Sequence, residues 1–227
     1  MKVNEDKTQM LCVNACINNE VNSYIRVSGN EERISSTDRL KILGFNFGRE
    51  PNAVLHVTTL IEKMYGKLWT LLFLKKSGMK ESSLLNIYKD VLRPSAEYSS
   101  IVYNTLIPEY LSDKLENMQK QAMKIIYGWN IDYSKVLEDE VISSLKHRRQ
   151  EASLRFALKA SASTRFKKWF PLNPGTQHAV RSTTRKHFLE KKCRTECGRK
   201  NPLLAVIRQL NEHMSTIDDR QNISTLE

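Results

Sequence analysis

The sequence predicts an α+β protein: a small N-terminal antiparallel β region followed by a predominantly α-helical bundle. Three observations carry this. The spacing of apolar residues changes from two to 3.6 at Pro51. The short alternating runs bounded by turn residues all precede that point. The 227 residues are 40% hydrophobic and 27% charged, enough to bury a core and outside the composition of disordered chains.

Within the first fifty residues, Thr8 to Val13 is a short strand candidate. Tyr24 to Val27 alternates, Ser28-Gly29-Asn30 is a turn signal, and Arg33-Ile34-Ser35 can return as a hairpin partner. Leu40 to Phe47 reads as the strongest strand, because its aromatic and aliphatic residues suit a half-buried sheet. Gly48 and Pro51 close the region.

Beyond Pro51, Val54, Val57, Ile61, Met64, Leu68, Leu71 and Leu72 form one apolar stripe of a long helix. Gly78 ends it, with Lys75 and Lys76 in the last turn, where cations suit the dipole. A second helix carries Leu84, Leu85, Tyr88, Val91 and Leu92, and Pro94 breaks or kinks it. A third begins at Pro108; Leu111, Leu115, Met118, Ala122 and Ile125 face a partner helix, and Gly128 ends it. A fourth runs from about Ser144 to Ala160, with Leu145, Ala152 and Phe156 on one face. The chain so divides into residues 1–50, a helical 51–170, and a basic, loosely structured extension over 171–227 with a short helix near 202–213. Asn201-Pro202 caps that last helix.

Charge says more than class. Thirty-six Lys and Arg against twenty-five Asp and Glu give +11. Ser144 to Lys200 alone holds sixteen basic and three acidic residues, so the rest of the chain is close to neutral. A basic third on a neutral body points to a polyanion, most often nucleic acid. Adjacent arginines Arg148 and Arg149, after His147, open the basic helix and can straddle a phosphate backbone; the plainer reading is a solvated helix face. No stretch approaches eighteen uncharged apolar residues, so no membrane partner is expected. Met1 to Lys7 is polar where a secretory signal needs an apolar run, so a nuclear or cytoplasmic location is expected, not secretion.

Chemistry-bearing motifs are sparse. Cys12/Cys16 and Cys193/Cys197 are spaced by four, with His178 and His187 upstream of the second pair, but the usual zinc spacings are not met and free thiols are the better reading. Asp218-Asp219 lies in a polar tail without rigid support for a metal. His56 and His147 read as surface or capping residues.

Several segments, in order, carry a resemblance. Val3 to Thr8, Leu40-Lys41-Ile42-Leu43-Gly44-Phe45, His56 with Ile61, Lys63 and Leu68, Ile87-Tyr88-Lys89, Leu92-Arg93-Pro94, Glu97-Tyr98, Leu115-Glu116, Gln119-Lys120, Ala122 to Ile126, and Ser144-Leu145 with Arg148-Arg149 follow one family's order. The chain resembles the C-terminal part of a non-LTR (LINE-type) retrotransposon reverse transcriptase, from residue 4 to about 150. That resemblance implies the end of a polymerase palm in residues 1–50 and a helical thumb in 51–170. It implies sequence-independent contact with RNA or DNA backbone through Lys7, Gly44, Lys63, Lys67, Arg93, Lys120, Lys124, His147, Arg148, Arg149, Lys167 and Lys168. The family's Tyr-x-Asp-Asp, whose aspartates hold two Mg²⁺ ions, belongs upstream of Lys7, and no substitute carboxylate pair appears. The chain as it stands is therefore expected to grip rather than polymerise, with no cofactor and no enzymatic activity of its own. The alternative expectation is a helical interaction module whose partner surface is the Leu111 to Ile125 stripe.

Overall fold

A computed structural model describes residues 8–12, 24–27, 30–33, 37–50, 52–139, 142–173 and 187–224. The α+β class holds: antiparallel strands come first and helices follow. Strands β1 (Tyr24–Val27) and β2 (Asn30–Arg33) form one hairpin, with Val27 opposite Asn30. The returning strand therefore starts three residues earlier than Arg33. Of the strand candidate Thr8 to Val13, Val13 lies outside the described residues; among those described, Met10 makes a bridge, its carbonyl accepting from Thr37 N–H at 2.8 Å, and residues 8–12 show no continuous strand.

Leu40 to Phe47 is two strands, not one. Strands β3 (Arg39–Ile42) and β4 (Phe45–Gly48) pair antiparallel, with Ile42 opposite Phe45. Leu43 and Gly44 make the turn, with φ of +48° and +82°. Positive φ at both central residues is the mark of a type I′ turn, whose twist matches that of the strands. Glycine accepts that conformation freely; leucine does so at a cost of roughly 1–2 kcal/mol. In the sequence the turn shows only as a shift of phase, from Leu40 and Ile42 to Phe45 and Phe47, inside a run whose aromatic and aliphatic content reads as one strand.

Helix α1 (Val54–Lys76) buries Val57, Leu60, Ile61, Met64, Leu68 and Leu71, close to the expected stripe. It ends as expected at Gly78, φ +86°, where Gly78 N–H bonds Lys75 O and Met79 N–H bonds Leu74 O. This double closure satisfies the last carbonyls of the helix. Helix α2 (Glu81–Ile87) runs through a π-turn (Tyr88–Leu92) into α3 (Arg93–Glu97) without a break. Pro94 explains the widening. It has no N–H to donate, and its ring crowds the carbonyl four residues back, so Arg93 N–H bonds the Tyr88 carbonyl five residues back instead. Val91 is thereby exposed, while Leu84, Leu85, Tyr88 and Leu92 are buried as expected.

After the short α4 (Ser100–Tyr103), α5 (Glu109–Tyr127) packs on α1. Leu111, Leu115, Met118 and Ala122 of the expected stripe are buried in the main core, Ile125 is partly buried against it, and its neighbour Ile126 is the residue fully inside. The stripe offered as a partner surface is internal. Helix α6 (Tyr133–Asp139), with only Val136 buried, had no signal strong enough to be foreseen. Helix α7 (Leu145–Ala162) is capped by Ser144, whose Oγ accepts from His147 N–H at 3.2 Å.

The buried face of α7 is Leu145, Arg149, Ser153, Ala157 and Ala160, rotated from the expected Ala152–Phe156 line. Beyond it, residues 187–210 are held more firmly than an extension. After α8 (Glu196–Arg199), α9 (Pro202–Ser224) is longer than the helix expected at 202–213, and Asn201 caps it as foreseen, its side chain accepting from Leu203 N–H at 2.9 Å. Leu204, Val206, Ile207 and Leu210 join Ala157, Ala160 and Phe170 in a second core, which straddles the expected boundary at 170/171. Asn211 exchanges hydrogen bonds with the backbone of Phe188, at 2.8 and 3.1 Å. Residues 174–186, within the basic stretch expected to be loose, lie outside the described residues. Among the described residues, no helix is long and apolar enough to cross a membrane.

Candidate nucleic-acid interface

A cleft of about 540 Å³ lies between the β3–β4 hairpin, α1 and the π-turn with α3. Its lining carries Lys41, Lys63 and Lys67 against one carboxylate, Asp90. Leu60, Val91 and Pro94 supply an apolar wall. Lys63 and Lys67 reach it because they stand one helical turn apart on a flank of α1. Lys67 is also structural: its Nζ bonds Ser95 Oγ and, at 3.4 Å, the Val91 carbonyl, tying α1 to the π-turn.

Two residues hold the hairpin over the cleft. Tyr98 Oη donates to the Leu43 carbonyl, and the Tyr98 ring lies against Gly44, where a β-carbon would sit 3.2 Å from the ring edge and the hydroxyl. His56, only 4% exposed, is the second. Its ring stacks on Phe45 at 4.2 Å, and its Nδ1 accepts from Asn46 N–H at 3.5 Å. The expectation of a surface or capping histidine is corrected: α1 turns His56 inward beneath the hairpin. Acceptance at Nδ1 requires the neutral ring.

Burial pushes the His56 pKa below its ordinary 6.5; the Tyr98 backbone opposes this shift, and the Lys63 charge reinforces it. The unfolded chain then binds a proton below pH 6.5 that the folded chain does not. Stability from this source is complete above pH 6.5 and falls as the pH drops toward the folded pKa, at most about 1.4 kcal/mol per pH unit. Thermal melts from pH 7.5 to 5.0 should show a steeper loss for the native chain than for His56→Gln. Parallel curves would rule the effect out.

The other expected contacts are distributed elsewhere. Lys7 lies outside the described residues. Arg93 is half-buried and outside the cleft's lining. Lys120 is exposed above the Tyr133 ring, Lys124 is half-buried, and Lys167 and Lys168 are exposed in a 3₁₀ turn (Lys167–Trp169). His147 is exposed beside Glu151, at 3.5 Å.

The arginine pair is the main correction. Arg148 forms a two-pronged ion pair with Glu97, which ties α7 to α3 and holds its pKa above the usual arginine value. Arg149 is 1% exposed; its Nη2 donates to Ser112 Oγ at 2.6 Å, and burial lowers its pKa. Adjacent helical residues point about 100° apart, so with Arg148 on the α3 side, Arg149 falls on the buried face. Arg149 is closed to solvent and Arg148 is engaged by Glu97, so the two do not form a free pair across a phosphate backbone.

Lys41, Asn46, His56 and Tyr98 were not foreseen as site residues. For Tyr98, its place in the Glu97-Tyr98 phrase was a signal; for Lys41, strand alternation beside a glycine turn would have sufficed. Cys12 and Cys193 are free thiols, Cys16 and His178 lie outside the described residues, and among those described no metal-holding cluster of His, Cys, Asp or Glu occurs. No protein-family model, curated protein or solved structure matches the chain.

Proposed function

We propose that the cleft seats the sugar–phosphate backbone of RNA or DNA, and that the chain is a thumb-bearing part of a LINE-type reverse transcriptase that contributes grip rather than chemistry. The observation that carries this reading is the convergence of Lys41, Lys63 and Lys67 on one cleft roofed by Gly44. Gly44, Lys63 and Lys67 are residues that the resemblance singles out, and they come from two different elements. Lysine acts on phosphate as a point charge and reads no sequence. An excess of eleven positive charges over the whole chain favours the same partner. A nuclear or cytoplasmic location follows from that partner. The chain has no Tyr-x-Asp-Asp, so no metal-assisted nucleotide transfer is assigned to it.

Fluorescence-anisotropy titrations across a salt series test the reading. Log K should fall with log salt by about 0.9 per phosphate contact on a duplex and about 0.7 on a single strand. Lys41→Gln with Lys63→Gln should weaken binding evenly across sequences and flatten the duplex slope by up to about 1.8. Arg148→Ala, which breaks an internal ion pair, should leave the slope unchanged. Affinity indifferent to salt, or a slope unmoved in the double lysine variant, would mean the lysines are only a solvated rim.

A further inference from the structure

We propose that the outer face of α1 docks a second copy of the chain, the two α1 helices lying antiparallel about a two-fold axis at Trp69. The inference is independent of the cleft. Tyr65 and Trp69 follow the cleft residues Lys63 and Lys67 by two positions each, which places them about 160° away round the helix.

Along this face Tyr65, Trp69 and Phe73 recur at every fourth residue, and each is more than half exposed. Single exposed aromatics are ordinary, but these are contiguous: the Trp69 and Phe73 rings lie 15° from parallel, with centroids 6.0 Å apart. Gly66 lies among them. Glycine inside a helix costs stability, and a β-carbon there would meet no other described atom within 4 Å, so the chain's own packing gives no reason for it. A second helix laid close against the face would.

The symmetry of the face identifies the partner. Tyr65 and Phe73 stand four residues either side of Trp69; Glu62 and Lys76 stand seven either side, about two helical turns. In the antiparallel pairing Tyr65 meets Phe73 of the second copy, and Gly66 meets Leu72 of the second copy. Glu62 meets Lys76 of the second copy, and every such pair occurs twice, as an isologous contact requires. Glu62 and Lys76 are both exposed, and neither has an ion-pair partner among the described residues. A parallel pairing would instead set Glu62 on Glu62 and Lys76 on Lys76. Aromatic residues at the centre with charges at the ends is the layout of an interface core and its rim. The three rings expose on the order of 400 Å² per copy, about half of what each partner gives to a standard interface, so the dimer is reversible and micromolar.

Sedimentation equilibrium of the full chain, reduced and free of nucleic acid, tests this from micromolar to near-millimolar concentration. The wild type should pass from monomer to dimer and no further, because a two-fold contact closes on itself. Trp69→Glu sets two carboxylates on the axis and should weaken association at least about thirtyfold. Its melting temperature at low concentration should match the wild type, since the indole lies outside the core. Glu62→Lys and Lys76→Glu should each weaken the dimer roughly fivefold, and the two together should restore it. A wild type that stays monomeric throughout would overturn the proposal, as would Trp69→Glu dimerising like the wild type. A double charge reversal no stronger than either single would overturn the antiparallel pairing. A monomeric wild type that Trp69→Glu destabilises at low concentration would assign the face to another segment of the same chain and overturn the proposal.

Discussion

Gln119→Leu should lower the melting temperature by roughly 6–12 °C, about 3 kcal/mol for a chain of this size. Gln119 is fully buried on α5, at the centre of a polar chain that crosses the main core. Tyr88 Oη donates to its Oε1 at 2.5 Å. Its Nε2 donates to Tyr133 Oη at 2.8 Å and to the Ser143 carbonyl at 3.2 Å, and Tyr133 Oη donates onward to Glu116 at 2.7 Å. Leucine fills the volume but supplies neither acceptor nor donors, which leaves the Tyr88 hydroxyl without its acceptor. Burial already raises the pKa of both tyrosines, so ionisation offers no escape at neutral pH. Cost falls on the unpaired partners, and this is why a volume-matched apolar substitution is not neutral here. Gln119→Glu is the useful companion: protonated, it can still serve Tyr88, and its loss should ease below neutral pH. A melting temperature within about 2 °C of wild type for Gln119→Leu would show that the network is replaceable.

Gly44→Ala should cost about 2 kcal/mol and open the cleft. One part is backbone: φ of +82° is disfavoured for any residue with a β-carbon. The other is steric. The new methyl would meet Tyr98 Cε1 and Oη at 3.2 Å, so the ring must give way and its bond to the Leu43 carbonyl is put at risk. Gly48→Ala is the control: it lies at the far end of β4, without positive φ, and a β-carbon there would make an ordinary contact with Leu55 at 3.7 Å. Hydrogen exchange at Phe45 and Asn46 should accelerate in Gly44→Ala and not in Gly48→Ala. Equal protection in both would mean that Tyr98 does not latch the hairpin.

Much of this architecture was legible because burial and sequence pattern agreed. In α1 and α5 nearly every apolar residue on the 3.6 period is buried, and glycine or proline marks the ends. Legibility failed where a buried position is polar. Arg149 was weighed as part of a solvated face, yet it and Ser153 occupy the inner line of α7, where a hydrogen bond to Ser112 and one to the Arg149 carbonyl satisfy them in part. It failed again at Leu43-Gly44, where an apolar run without a polar turn residue conceals a change of phase. The C-terminal core was hidden because Phe170 and α9 are separated in sequence by a basic, proline-marked stretch. As for the site, Gly44, Lys63 and Lys67 were named from sequence and share one cleft, whereas Lys120, Lys124, Lys167 and Lys168 are outside its lining. Charge and type can be read along a chain; which cations converge depends on helix rotation and on the hairpin's docking.

The widened turn at Tyr88–Leu92 makes the cleft a matter of counting. A π-turn holds one residue more than the same stretch of α-helix, and each helical residue advances the chain by about 100°. The azimuth of everything after Leu92 is therefore set by the length of that turn. Ser95, which receives Lys67, and Tyr98, which latches Leu43, both stand downstream of it. Their common facing toward the cleft is a phase relationship, indifferent to many substitutions at exposed positions of the turn but not to a change in its length. Point substitution at its exposed positions leaves that phase in place so long as Pro94 is kept, while a single-codon gain or loss would turn both residues away together.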